Sequence, residues 1–404
     1  MKVVVTDYNP EWEKEFDREA EKLREAFGGG LVAVHHIGST SVPGLAAKPI
    51  IDIMPVVKDI AEADRAAPAL EKLGYEGLGE YGIPGRRYFR KGGDNRTHQL
   101  HVFAESSAAE IARHLAFRDY LRRHPDEATE YGTLKRALAK KYPGDIEGYC
   151  DGKDAFVKAT EREAMKEYTA LVRFSRNRAL FVDMAECVRR GAARVLRADG
   201  KGVLLYEKSS GIHMLEANSA EDARALLRET PLQMPEGDRK FIVAHGDGVR
   251  DAVYDLLSVR AETACYQVMY AGKPLPLGGK LRFGLPGRAE TEKIKEEYKL
   301  ESPENIERLC AEGKIWCGYE RESGAFVGFI GRHPEGSMGL LQVFPAYRRR
   351  GYGEELESFM IDKFLEEGLV PYAHIIDDNE KSMNLQKKLG YEVADEKIYW
   401  LALR

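Results

Sequence analysis

The sequence predicts an α/β (α+β) protein of several domains, and three observations carry that expectation. The chain has 404 residues, 43% hydrophobic and 31% charged, which is globular composition with length for two or three domains. Near its start, Trp12, Phe16, Ala20, Leu23 and Phe27 mark one face of a helix, and short apolar strand runs follow at 31–37 and 49–55. Toward the other end, Leu340-Leu-Gln-Val-Phe-Pro-Ala-Tyr-Arg-Arg-Arg-Gly-Tyr-Gly353 reads as a strand, a turn and a helix start.

Composition also sets exclusions. A net charge of −5 gives no bulk attraction to nucleic acid. The five cysteines are odd in number and show no CxxC pair, so reduced thiols in a cytoplasmic protein are expected. Met1 to Asp7 has no long apolar core, so no signal peptide is expected, and no run is long enough to span a membrane. The expected partner is a small molecule, with no nucleic acid and no membrane.

The first helix starts at Asn9-Pro10, an N-cap followed by a first-turn proline, and stops at Gly28-Gly-Gly30. A strand at 31–37 leads into Gly38-Ser-Thr-Ser-Val-Pro-Gly44, and a second runs Pro49-Ile-Ile-Asp-Ile-Met-Pro55. Asp52 inside that apolar run is costly to bury alone. It needs a metal, a cation or several donors, unless it simply caps a loop. Arg86 to Lys91 and Thr97 to Phe103 flank Gly92-Gly-Asp-Asn95 as a hairpin. His98 and His101 fall on opposite faces of its second strand, and a lone histidine is more often structural than a ligand. Helices follow over 108–165, broken at Pro125 and Pro143, with a linker near 167–175.

The stretch His36-Ile-Gly-Ser-Thr-Ser-Val-Pro-Gly-Leu-Ala-Ala-Lys-Pro-Ile-Ile-Asp-Ile53 resembles the signature of the GrpB family. So do Tyr81-Gly-Ile-Pro-Gly-Arg-Arg-Tyr-Phe89, His98-x-Leu-His101 and Phe117-Arg-Asp-Tyr-Leu121, and the expected domain is 1–167. That family is similar in fold to polymerase-β-type nucleotidyltransferases. The resemblance implies a phosphate turn at Gly38 and Ser39, a catalytic metal carboxylate at Asp52, and a third metal position on the strand of His101. Met54 stands where a second carboxylate is expected. Imidazoles at His98 and His101 would suit Mn, Zn or Fe better than Mg. A divalent metal and a nucleotide are thus optional ligands. Lys48, Arg86 and Arg87 are the expected phosphate contacts. For Lys135 and Lys153 a solvated basic face is at least as good a reading.

The middle, 176–283, alternates amphipathic helices with strand runs at 202–206, 212–215, 241–244 and 263–271. His245-Gly-Asp-Gly248 sits at a strand-to-helix junction and lacks arginines, so it reads as a plain tight turn. From 284 onward, Ser302-Pro303 starts a helix, and 315–320 with 325–331 form a hairpin before the Leu340 strand. A helix N-terminus offers unpaired N–H groups and partial positive charge, which glycines and Arg348, Arg349 and Arg350 would reinforce toward a diphosphate.

Arg348-x-x-Gly351-x-Gly353 after a strand resembles the acyl-CoA loop of the GNAT acetyltransferases. Asn379-x-x-Ser382-x-x-Leu385 and Leu389-Gly390-Tyr391 strengthen the likeness, especially to glycine N-acyltransferases. The middle segment resembles the degenerate first half of tandem GNAT proteins. The resemblance implies acetyl-CoA or another acyl-CoA as donor. It places that donor along Leu341, Gln342 and Val343, with Arg348, Arg349, Arg350, Gly351, Tyr352 and Gly353 at its diphosphate and Asn379 and Ser382 nearby. The Val343 N–H would polarise the thioester carbonyl. Gln386 occupies the place of the tyrosine that protonates the leaving thiolate in many such enzymes, and it is left to hydrogen-bond the sulfur. Glu320, His374 and a water chain are the candidate bases, each more often structural than catalytic. Three functions stay open. They are N-acyl transfer to a small amine, nucleotidyl transfer at 1–167 as part of a bifunctional enzyme, and ligand sensing without catalysis.

Overall fold

The computed structural model describes residues 3–233 and 240–404. The chain forms two compact units, Met1–Tyr168 and Thr169–Arg404.

The first unit opens with α1 (Glu11–Phe27), β1 (Leu31–Ile37), β2 (Ile51–Val57) and α2 (Ala61–Lys72). β3 (Tyr75–Gly77), β4 (Arg87–Lys91), β5 (His98–Ala104), α3 (Ala108–Arg123), α4 (Pro125–Lys141) and α5 (Ile146–Phe174) follow. Asn9 accepts from the Glu11 N–H at 3.1 Å, so the expected start signal works. The segment expected as a linker is helical as far as Phe174.

The five strands order as β1-β2-β5-β4-β3, antiparallel except where β2 meets β5. The strand period of two then sorts side chains between faces. Ile51, Ile53, Val57, Leu100 and Val102 pack with Trp12, Leu23 and Phe27 of α1 and with Ala63 and Leu70 of α2. Met54 and Phe103 turn the other way, with Ile37, onto Ile111 and Leu115 of α3. Met54 is fully buried there. The position expected for a second carboxylate is a core position, where an unpaired carboxylate would be costly.

The second unit continues with α6 (Val182–Arg189), β6 (Ala193–Ala198), β7 (Gly202–Glu207), β8 (His213–Ala217), α7 (Ala220–Glu229), β9 (Phe241–His245), α8 (Asp247–Leu256) and β10 (Val259–Met269). Next come β11 (Leu281–Gly284), α9 (Arg288–Glu297), α10 (Pro303–Ala311), β12 (Ile315–Glu320), β13 (Phe326–Arg332) and β14 (Met338–Val343). α11 (Tyr352–Glu366), β15 (Tyr372–Ile376), α12 (Glu380–Leu389) and β16 (Glu392–Leu403) complete it.

All its strands join one sheet, β11-β12-β13-β14-β15-β10-β16-β9-β8-β7-β6. The order has a repeat. β8 and β9 are parallel neighbours joined by α7, and β14 and β15 are parallel neighbours joined by α11. Between these pairs the halves exchange strands. β10 lies between β15 and β16, and β16 lies between β10 and β9. The expected boundary at 283/284 therefore falls inside a continuous sheet.

Candidate functional site

In the second unit the parallel pair β14/β15 is a fork. The strands share one registered pair, Met338 with Ala373, and then part. A bulge in β14 helps them part. Its register with β13 shifts where Leu340 adopts φ +54°, and an extra residue bends a strand away from its neighbour. The Leu340 side chain repays that backbone strain by burial in the core of α9, α10 and β12. The edge of β14 beyond Met338, which includes Leu341, Gln342 and Val343, has no strand partner on the β15 side. Backbone groups there are open to an extended ligand.

The loop after β14 ends at Gly351, the N-cap of α11, with φ +86° and no side-chain cap. A Cβ placed on Gly353 would meet only Val343 Cγ2, at 3.8 Å, so the first turn of α11 is open. The three arginines differ. Arg348 Nε donates to Val343 O at 3.1 Å, which ties the loop to the fork. Arg350 reaches Glu320 at 3.5 Å, and Arg349, with φ +64°, is exposed. Sequence reasoning missed Lys280. Glu355 accepts from the Lys280 and Leu281 N–H groups at 3.2 and 3.0 Å, and Lys280 Nζ donates to Arg350 O at 2.9 Å. No local motif marks Lys280, because β11 comes to the loop only through tertiary packing.

The first half closes what the second half opens. β8 and β9 stay paired over three residues, His213 to Leu215 against Ile242 to Ala244. The counterpart of the loop is Asn218-Ser219, and Ser219 Oγ accepts from the Asp222 N–H at 3.1 Å, so α7 caps itself. His245–Gly248 lies at the strand-to-helix junction of β9 and α8, where the sequence placed it as a plain turn.

Other expected residues are occupied. Asn379 caps α12 by accepting from the Ser382 N–H at 3.2 Å, so these two bond each other. Tyr352 donates to Glu320, which also accepts from Ser323 at 2.5 Å. The Ser323 and Tyr352 bonds hold the Glu320 pKa below its ordinary value, which suits a fixed anion better than a base. Gln386 is buried, and its Nε2 donates to Glu357 at 3.0 Å. Its Oε1 has no partner. The Gln386 amide is thus turned toward Glu357. His374 follows Ala373, where β15 leaves β14, and lies 3.2 Å from Gln267 Oε1. Burial lowers its pKa, so the imidazole is uncharged near neutrality.

In the first unit, a cavity of about 280 Å³ opens beside the Gly38 turn. Gly38 has φ +68°, and a Cβ on it would collide with the Asp52 carboxylate. Lys135 donates to Ser39 Oγ at 2.7 Å. Asp52 lies 3.6 Å from His101 Nε2. Arg86 Nη1 donates to His101 Nδ1 at 3.2 Å, so the ring proton sits on Nε2, facing Asp52. That leaves no free imidazole lone pair for a metal. His98 is on the opposite face, near Glu19 and Lys91 of the α1 side, and cannot join Asp52. Among the described residues no group of three or more His, Cys, Asp or Glu could hold a metal ion. The expected metal set does not fit this site.

The phosphate set also changes. Arg86 spends its other donors on Glu80 O and Tyr81 O at 3.1 and 2.6 Å, which fixes the 80–86 loop. Arg87 pairs with Asp64 at 2.8 Å, outside the cavity lining. Lys48, Lys135 and Lys153 line the cavity with Gly38, Ser39 and Asp52.

The family model described as GrpB protein matches residues 2–163, and the one described as FR47-like protein matches residues 318–401. The UPF0157 protein YqkA of Bacillus subtilis is 47% identical over 165 residues, 41% of this chain. The chain spans about half of that relative's length, 48%. The glutamate-rich protein GrpB of Alkalihalophilus pseudofirmus is 34% identical over 160 residues, which cover 38% of this chain and 91% of that protein. The chain belongs to the GrpB family. Its GrpB domain is N-terminal, and an FR47-like, GNAT-type domain is C-terminal. A solved GCN5-related N-acetyltransferase-like protein from Streptococcus suis is 16% identical, covers 58% of this GrpB-family chain and 98% of its own, and has a TM-score of 0.35. Among the described residues no helix is long and apolar enough to cross a membrane.

Proposed function

We propose that the second unit is an acyl-CoA-dependent N-acyltransferase that moves an acetyl group to a small-molecule amine. The observation that carries this reading is the open β14/β15 fork, which runs directly into an uncapped helix N-terminus. The pantetheine arm would add to the free edge of β14, as a strand would. The diphosphate would meet the N–H groups of the first turn of α11, with Arg349 and Lys280 beside them. The acyl-CoA supplies the activated carbonyl. The Val343 N–H polarises it, and the fork holds the amine in reach for direct attack within a ternary complex. The new C–N bond forms as the C–S bond breaks. His374, uncharged and at the fork's base, is the side chain favoured to take the amine's proton. The thiolate leaves with its charge, since Gln386 is no acid. The first unit serves as an anion-binding module, and nucleotidyl transfer lacks its metal ligands there.

The test is calorimetric titration of acetyl-CoA into the full-length protein. Binding in the micromolar range is expected, roughly −8 kcal/mol. The Gly353→Glu variant fits the space in the free protein and gains helix propensity, so it should fold and yet lose binding through charge and bulk. Absence of binding by acetyl-CoA and by longer acyl-CoAs would overturn the proposal. So would undiminished affinity in the variant.

A further inference from the structure

We infer that the cavity of the first unit is a metal-independent receptor for a phosphate-class anion, a diphosphate group in particular, gripped by Lys48, Lys135 and Lys153. This deepens the reading of that unit as an anion-binding module and rests on it. Lys135, from α4, is only 2% exposed. It sits 4.3 Å over the Tyr131 ring and bonds a neutral hydroxyl, Ser39 Oγ. Lys48 and Lys153 lie 5.3 and 5.5 Å from the Tyr149 ring. Among the described residues none of these three lysines has an ion pair, and Asp52 is the nearby carboxylate that attracts Lys48 and Lys135. The other cation of the lining, Arg113, is already neutralised by Glu110 and Glu161 at 2.8 and 2.6 Å.

Three lysines therefore converge on one cavity with two lining carboxylates, and one of these, Glu161, is already paired with Arg113, which leaves Asp52. A buried ammonium without a counter-ion is unfavourable, and proteins keep such groups where a ligand supplies the missing charge. Metal and anion readings pull apart here. A divalent cation would add charge to a site already in excess of it, whereas a diphosphate would complete it.

The free site lowers its own charge in the meantime. Burial, and then repulsion from Lys153, brings the Lys135 pKa to about 6. The groups around it are Lys48, Asp52, Lys153 and Arg136, with Arg113, His101, His114 and Glu161 also lining the cavity. A bound anion would raise that pKa again, so binding takes up protons.

The experiment is calorimetry of inorganic pyrophosphate against the full-length protein at pH 7.5, with EDTA or with magnesium, in two buffers of different ionisation heat. Expected are equal affinities with EDTA and magnesium, and uptake of close to one proton. Lys135→Met should bind at least tenfold more weakly and lose the proton uptake. It should stay folded, since the replacement is apolar and of similar length. Binding only with magnesium overturns the inference, as does wild-type affinity in Lys135→Met. Citrate binding as tightly as pyrophosphate overturns the phosphate class and leaves the anion-module reading standing. Failure of both anions ends both readings of the first unit, while acetyl-CoA titration of the same sample still judges the second.

Discussion

Gly38 carries two constraints at once. Its φ of +68° with ψ of −171° belongs to glycine, and a side chain there would run into Asp52. Gly38→Ala should destabilise the first unit by about 2 kcal/mol or more, read from hydrogen exchange of the β1 and β2 amides. A loss below about 0.5 kcal/mol would show that the turn can relax. Lys135 predicts a pH slope. Its pKa is depressed to about 6 in the folded protein, so between that value and its unfolded range near 10.5 the unfolded chain binds the extra proton. Stability of the first unit should therefore rise with pH across that window, and Lys135→Met should flatten the rise. The turn glycine and Asp52 were legible because their residue types are unusual in their settings. Lys135 was legible only as one of several candidate phosphate contacts, since a lysine on a helix reads equally well as solvated until the neighbouring element is known. Arg86 and Arg87 misled for a related reason. Adjacent strand residues face opposite ways, and neither guanidinium is left free.

Among elements, β14 shows what a pattern can and cannot say. The strand, the glycines and the following helix all stand where the residues placed them. The bulge at Leu340 did not show, because nothing in an apolar run marks which residue will carry a positive φ. Without that bulge the fork would close, as β8 and β9 do. The linker expected at 167–175 does contain the division between the two units, at 168/169, but as helix. It lacks a glycine or proline to stop α5, and the helix runs on. Buried histidines supply an acid limit for several elements. Desolvation brings His36 on β1, His114 on α3 and His213 on β8 to a pKa of about 4. The unfolded chain then binds more protons below the ordinary histidine range. Each should withdraw on the order of 3 kcal/mol as pH falls from about 6.5 to 4. Loss of near-ultraviolet circular dichroism should begin in that window. A flat signal down to pH 4 would mean that these rings can be protonated in place.

At the scale of the molecule, the GrpB and GNAT likenesses were readable from long motifs, but the exchange of β10 and β16 was not. Periodicity tells which face of a strand is buried and says nothing about which strand lies beside it. The exchange predicts that the halves of the second unit cannot be separated. A protein cut to 284–404 loses β10 from between β15 and β16, and one cut to 169–283 loses β16 from beside β9. Both should be insoluble or unfolded when expressed alone. Co-expression of the two pieces should recover a folded complex by circular dichroism. Two independently soluble, folded halves would contradict the single sheet.

The same exchange dictates timing. β9 and β10 leave the ribosome long before β16, the strand that must lie between them. Until it arrives, both present open edges with apolar faces, the kind of surface that recruits another chain. Every nascent copy passes through that interval, and two neighbours on one messenger could trade the late strand. The second unit's hardest moment is thus its own synthesis, and its yield should depend on chaperones more than its final stability suggests.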